Sequence, residues 1–489
     1  MLPGVGDLLL APGLSPGRAA ELLRPYGFSD PARAGRELQA LALDPQARLL
    51  LAEVLGDLLR AAAESADPDA ALGRLERFVR AGGSAARVFS HLRDDPRMVE
   101  VLLHTLGASP FLAEILIRQP HWLLWLAEPG VLDRPRGRAE IADDLARGLG
   151  SLRSEERRLD ALRVAKRREI LRIAVRDLLR RAPVPETLRE LSDLAGALIE
   201  GALGPAAAFA VLGLGKLGGG ELNFSSDVDL VYVYRGRARA RHQAAARRLT
   251  GALAEVTPEG YVYRVDLRLR PEGKAGAIAL PLTAFAAYYR TRGVAWERLA
   301  LLKAAPVAGD LALGAEAVRL TRPFVFGRPW GPQERAAVRR MKAQGDARLA
   351  ARGEAQRHVK LGTGGIREIE LVVQVLQAGH GHEGGALAAR GTLPALDALA
   401  ERRLLAPDDH AALRAAYLFL RDVENKLQMA ADAQTHVLPD DPDELRRCAR
   451  RLGYRDAGGR EADALRRDHA GHATAVHAVF ERVTAGPPA

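Results

Sequence analysis

With 489 residues the chain is too long for one hydrophobic core, so two or three units are expected. Hydrophobic residues make up 48% and aromatics 5%, and the abundance of Ala, Leu and Arg favours helix in an ordinary globular protein. A net charge of +10 suits nucleotides, nucleic acid or acidic protein partners, but the arginines are spread along helices, as in any Arg- and Ala-rich chain, and a lone cysteine, Cys448, excludes an intramolecular disulfide and fits a reducing cytoplasm.

The first residues, MLPGVGDLLLAPG, lack the basic region and long apolar run of a secretion signal. The most apolar window, 111–130, is interrupted by Glu114, Arg118, Pro120 and His121. It predicts two buried helices broken at Pro120, and no membrane span. Residues 1–200 read as a helical region, including a long amphipathic helix after Ser154 as its N-cap. Lys166, Arg167 and Arg168 within it are expected on a solvated face, since acidic residues interleave and no aromatic platform accompanies them. That makes nucleic acid an unlikely partner.

Residues 201–310 change character. An apolar strand up to Leu214 is followed by a glycine-rich turn and SSDVDLVYVY, which alternates in the β period. The alternation puts Asp227, Asp229, Val231 and Val233 on one face and Val228, Leu230, Tyr232 and Tyr234 on the other. Two carboxylates side by side resist burial, and a divalent cation relieves both their repulsion and their desolvation. A second alternating stretch, Tyr261–Arg270, puts Arg264, Asp266, Arg268 and Arg270 on one face. Three carboxylates on neighbouring strands are what two-metal phosphoryl or nucleotidyl transfer needs, with Arg268 and Arg270 meeting phosphate oxygens.

Gly213, Gly215 and Gly218 spell GxGxxG, but the next strand begins too soon for a dinucleotide fingerprint, and Lys216 lacks the spacing of a Walker A loop. The turn suits backbone N–H groups set against phosphates, which makes Gly215, Lys216, Gly218, Gly219 and Ser226 candidate phosphate-binding residues, with Glu221 behind them.

Residues 311–489 return to helix. TRPFVFGRPW reads as a Pro-rich connector, and KLGTGGIREIE as a glycine turn into a helix. Lys360, Gly364, Gly365, Arg367, Glu368 and Glu370 there suit either a functional site or a capped helix with surface charges. His380, His382 and Glu383 lie in a glycine-rich stretch expected to face solvent, and nothing marks Cys448 as a nucleophile.

The segments GLGKLGGGELNFSSDVDLVYVY, YRVDLRLRPEG, WERLALLKA, RPFVF, KLGTGGIREIE and AYLFLRDVEN, in this order, resemble the glutamine synthetase adenylyltransferase/adenylyl-removing enzyme family from about Leu152 onward, with the first 90 residues only loosely similar. The resemblance implies an α+β fold: a DNA polymerase β-type nucleotidyltransferase core flanked by helical bundles, mostly helical overall. It implies Mg²⁺ at Asp227, Asp229 and Asp266, and glutamine synthetase, ATP, ADP, phosphate and a PII-type signal protein as partners in the cytoplasm. Full-length members carry two catalytic halves, and this chain holds one. GGGELNFSSD and GGIREIE look more like the half that removes AMP than the half that adds it, which makes a stand-alone or split adenylyl-removing unit the expectation. ATP-dependent adenylylation, a silent regulatory half, and a template-independent polymerase acting on RNA are the alternatives.

Overall fold

A computed structural model describes residues 5–10, 15–205, 207–327, 330–381, 385–431, 433–455 and 458–485. Helices fill most of this chain, and one small mixed sheet lies among them.

A repeated device starts the helices of the N-terminal part. Asp30, Asp44, Asp67, Asp95 and Ser109 each precede a proline that opens a helix, and each side chain accepts a backbone N–H of the first turn. Proline there has no N–H to leave unpaired, and its φ is already helical. Asp441 and Pro442 open a C-terminal helix in the same way. Ser154 caps the Glu155–Leu178 helix as expected, its hydroxyl accepting the Arg157 N–H. The apolar window forms two helices, Pro110–Arg118 and Trp122–Ala127, parted at Pro120. Among the described residues no helix is long and apolar enough to cross a membrane.

The basic run at Lys166 is not a solvated face. The Lys166 amine lies 4.8 Å from the ring centres of both Tyr261 and Tyr263, Arg167 pairs with Glu259, and Arg168 lies over Trp125. The aromatic platform exists, but it comes from other parts of the chain, out of reach of a local reading.

The strands are β1 (Phe209–Gly213), β2 (Val228–Tyr234), β3 (Val265–Asp266), β4 (Ala279–Pro281) and β5 (Ala305–Gly309). β1 is antiparallel to β2 on one side and to β5 on the other, while β3 and β4 run parallel to β2 along its free edge. The alternation expected of β2 holds. Val228, Leu230, Tyr232 and Tyr234 enter a core shared with helices Glu155–Leu178, Val184–Leu203 and Arg239–Ala254. Val231 and Val233 enter a second core with helices Leu282–Thr291, Leu311–Phe326 and Ile366–His380. The sheet is thus covered on both faces, and Asp227 and Asp229 share the face turned toward the C-terminal helices.

Two expected elements differ. Of the strand expected over Tyr261–Arg270 only β3 pairs. The Val262 and Tyr263 N–H groups both donate to the Leu253 carbonyl, and the Arg270 guanidinium donates to the carbonyls of Leu267, Lys274 and Gly276, folding the rest into a turn. The expected connector at Thr321 is helical as far as Phe326, with Pro323 inside the helix. Tertiary contacts hold it there: the buried Arg298 guanidinium donates to the Val325 carbonyl at 3.0 Å and lies over the Trp330 ring. His380 is the last residue of its helix, and not part of a loop; His382 and Glu383 lie outside the described residues.

Candidate active site

β1 ends at Gly213, and the chain turns into a short helix, Gly215–Gly219, before Asn223–Asp227 leads into β2. At Gly215 φ is +53°, and a Cβ there would stand 2.5 Å from the Asp229 Oδ2. Glycine is needed twice: for the left-handed backbone and for the room the carboxylate takes.

Asp229 on β2 is the register partner of Asp266 on β3. Both open into a cavity of about 450 Å³, which Asp227, Gly215, Lys216, Ser226 and Arg268 also line. Three expected residues are not brought there. Gly218 is pressed against the carbonyls of Lys303 and Gly213, and Gly219 against the Glu221 side chain, so their lack of a side chain serves packing. Arg270 is tied to its own turn, as described above, and lines a separate surface groove.

The electrostatics of the carboxylates are uneven. Burial and the neighbouring charges of Asp266 and Asp227 push the Asp229 carboxyl up to about 6, against the pull of Lys360 and Lys216. Burial would also raise Asp266, but the Arg268 side chain and backbone N–H outweigh it and hold this carboxyl below its usual value. Arg268 Nε donates to both Asp266 oxygens, at 3.0 and 2.8 Å. Asp227 accepts from Arg264 Nε at 2.6 Å, and the same guanidinium donates to the Ser225 carbonyl. Burial pushes the Lys216 amine down to about 7 despite Glu424, 3.2 Å away; the amine also donates to Ser226 Oγ at 3.4 Å.

The opposite wall comes from residues whose role the sequence left open. Lys360 and Arg367 line the cavity, and so does Glu370, whose carboxylate is held ionised by Lys303 and Arg367 against the cost of burial. Glu368 instead faces away, pairing with Lys342 and His477. The turn before this helix is compact: Gly364 has φ +71° and lies against the Ala473 backbone.

Beneath the cavity a buried polar network joins the expected Lys216, Glu221 and Glu370 to Lys303, Thr392, Tyr417 and Glu424, which the sequence did not single out. Lys303 joins Glu221 and Glu370, and Glu221 also accepts from Thr392 and from the Tyr417 hydroxyl. Glu424, fully buried on the Pro407–Ala431 helix, accepts from Lys216, from Arg421 at 2.8 Å and from Asn223 at 2.9 Å; Gln428 of the same helix accepts the Ser225 N–H. These bonds lock the turn before β2 to a helix about 200 residues later in the chain. The signals lay in the segments WERLALLKA and AYLFLRDVEN, which carry Lys303 and Glu424, but nothing local says that they meet Glu221 and Lys216.

Whether the carboxylates suit a metal can be judged from their partners. Among the described residues no group of three or more His, Cys, Asp or Glu side chains stands ready to hold an ion. Arg264 and Arg268 each engage one of the three carboxylates, Asp227 and Asp266 respectively. The donors are nonetheless of the right kind, carboxylate oxygens suited to a hard divalent cation. Asp229, with its charge opposed by burial and two neighbours, is the residue that a cation would relieve most. Arg268, whose side chain is 71% exposed, already supplies a positive charge at Asp266 and is free to yield that place. The residues therefore fit a divalent cation at Asp229 and Asp266, with Asp227 needing to turn from Arg264.

The sequence model of glutamate-ammonia ligase adenylyltransferase matches residues 99–208 and 203–320, and that of GlnD PII-uridylyltransferase matches residues 336–484. Curated relatives include proteins named bifunctional glutamine synthetase adenylyltransferase/adenylyl-removing enzyme. That of Thioalkalivibrio sulfidiphilus is 39% identical over 79% of this chain and 42% of its own length. That of Streptomyces avermitilis is 36% identical over 97% of this chain and 48% of its own, and that of Stenotrophomonas maltophilia 41% over 73% and 40%. The likeness thus reaches well ahead of Leu152, and the chain spans somewhat less than half the length of these relatives. The chain belongs to the glutamine synthetase adenylyltransferase/adenylyl-removing enzyme family.

Proposed function

We propose that this chain removes AMP from a modified tyrosine of glutamine synthetase by phosphorolysis, on a nucleotidyltransferase core formed by β1 to β5. One observation carries the reading: Asp229 and Asp266 stand in register at one side of a cavity whose other side presents Lys360 and Arg367. Carboxylates beside cations across a cavity of this size suit a phosphoryl group held between them.

In this reading inorganic phosphate attacks the AMP phosphorus. The new P–O bond completes ADP, the bond to the tyrosine oxygen breaks, and the phenol takes up a proton. Mg²⁺ held by Asp229 and Asp266, with Asp227 turned in, would supply neutralisation of phosphoryl charge. Lys360 and Arg367 hold the incoming anion, and Arg268 meets phosphoryl oxygens once it leaves Asp266. Gly215 leaves room for the Asp229 carboxylate, and Ser226 lines the phosphate end. Lys216, engaged by Glu424, holds the turn in place and does not grip phosphate itself.

The relatives' names carry both addition and removal of AMP, so the same residues would serve ATP-dependent adenylylation in a second reading. The motifs GGGELNFSSD and GGIREIE favour removal. The match of residues 336–484 to a PII-uridylyltransferase supports a PII-type signal protein as regulator. The nucleotides, the synthetase and a single buried cysteine fit a cytoplasmic setting.

The chain should be assayed with adenylylated synthetase in phosphate and, separately, with unmodified synthetase and radiolabelled ATP. Phosphate-dependent ADP release is the expected result. Label transfer from ATP without ADP release would reverse the direction.

A further inference from the structure

The cavity has two chemically different ends. Around Asp229, Asp266, Lys360 and Arg367 it is charged. Another part of its lining comes from the Ala295–Leu301 and Ile366–His380 helices, which pack antiparallel. Lys303 meets Glu370 at one end of that contact, and Arg298 donates to the Ala378 carbonyl at the other. Leu299 and Ala300 therefore lie level with Gln374, one turn beyond Glu370, and all three line the cavity. Trp296, 49% exposed, also lines the cavity.

Gln374 is 5% exposed, and its Oε1 has no hydrogen-bond partner. Among the described residues it is the cavity-lining side chain with such an orphaned atom. Leaving a buried amide oxygen unpaired costs about 1–3 kcal/mol, and most buried polar atoms are paired for that reason. A site that keeps such an atom in an apolar wall is shaped for a ligand carrying the complementary group.

We propose that the Leu299–Ala300–Gln374 wall receives the base of the nucleotide, and that the Gln374 amide reads its edge. The inference rests on the nucleotide reading of the cavity and adds the place and means of base recognition. A carboxamide carries a donor and an acceptor side by side, which match the N7 acceptor and the N6 amino group of adenine. Guanine offers two acceptors on that edge, so one half of the amide would be left unpaired. Leu299 and Ala300 give the base an apolar floor, and the Trp296 indole offers a stacking surface. Phosphates would then lie toward Asp229 and Lys360.

The test is calorimetric binding of ADP, GDP and inorganic pyrophosphate to the full chain with Mg²⁺, in the wild type and in Gln374→Leu and Gln374→Asn. The wild type should bind ADP about tenfold or more tightly than GDP or pyrophosphate. Both variants should lose most of that preference while pyrophosphate binding stays within about twofold. Gln374→Leu removes an unpaired buried polar atom and should fold; Gln374→Asn keeps the amide chemistry at shorter reach and covers the case in which it does not. An unchanged ADP/GDP ratio in both variants overturns base reading by Gln374. Equal binding of ADP and pyrophosphate overturns the base pocket while leaving phosphoryl chemistry standing. Failure of all three ligands to bind the wild type removes the nucleotide reading, and this inference with it.

Discussion

Asp229 and Asp266 are register partners across the parallel pairing of β2 and β3, and after burial the Asp266 charge is the largest influence raising the Asp229 carboxyl to about 6. Folded Asp229 keeps its proton up to that pH, while an unfolded aspartate loses it near 3.8. Below 3.8 the two states bind the proton alike. As pH rises from there through about 6, the folded state retains a proton the unfolded state has lost, and stability falls. Above 6 the full penalty, of order 3 kcal/mol, is present. Without added divalent ions, Asp229→Asn should therefore be more stable than the wild type at pH 8 and no more stable at pH 4. Urea midpoints at the two pH values decide it. A lower midpoint for the variant at pH 8 contradicts the account.

Gly215→Ala tests the closeness of the turn to Asp229. The methyl group would meet the carboxylate, and φ +53° is unfavourable for alanine by about 1–2 kcal/mol. The variant should stay folded, with a modest drop in melting temperature and at least a hundredfold loss of turnover. Normal turnover would mean that Asp229 has room to move without consequence.

Glu424→Gln tests the tie between the turn before β2 and the Pro407–Ala431 helix. The charges of Lys216 and Arg421 beside it are largely buried, and removing one partner of such a cluster typically costs about 3–5 kcal/mol. Chemical denaturation should show a loss in that range. A change below about 1 kcal/mol would show that the network is not what anchors the turn.

Cys448 is fully buried, and burial pushes its thiol up to about 11. A protonated, enclosed thiol does not alkylate. Iodoacetamide at pH 8 should leave the native chain unmodified and label it once in denaturant. Rapid labelling of the native protein would contradict this placement.

The centre of the fold was legible in the sequence. The period of β2 separated its two buried faces correctly, Ser154 marked its helix, and Asp229 and Asp266 proved to be neighbours. What failed was set by contacts that residue periodicity does not show. Tyr261–Arg270 alternates like a strand, yet the Leu253 carbonyl and the loop carbonyls around Arg270 claim its polar groups. Lys166–Arg168 looked solvated because Tyr261, Tyr263 and Trp125 lie elsewhere in the chain. Gly218 and Gly219 resembled a phosphate cradle because a glycine packed against a carbonyl and a glycine facing a ligand look alike in one dimension. Lys360, Arg367 and Gln374 share the cavity with β2 only through the packing of a helix about 140 residues away.

The most direct test of the central claim is ADP release from adenylylated glutamine synthetase in phosphate and Mg²⁺, by the wild type and by Asp229→Asn. The account predicts phosphate-dependent release by the wild type, and a loss of at least about a hundredfold in a variant that remains folded. Comparable release by the folded variant would contradict it.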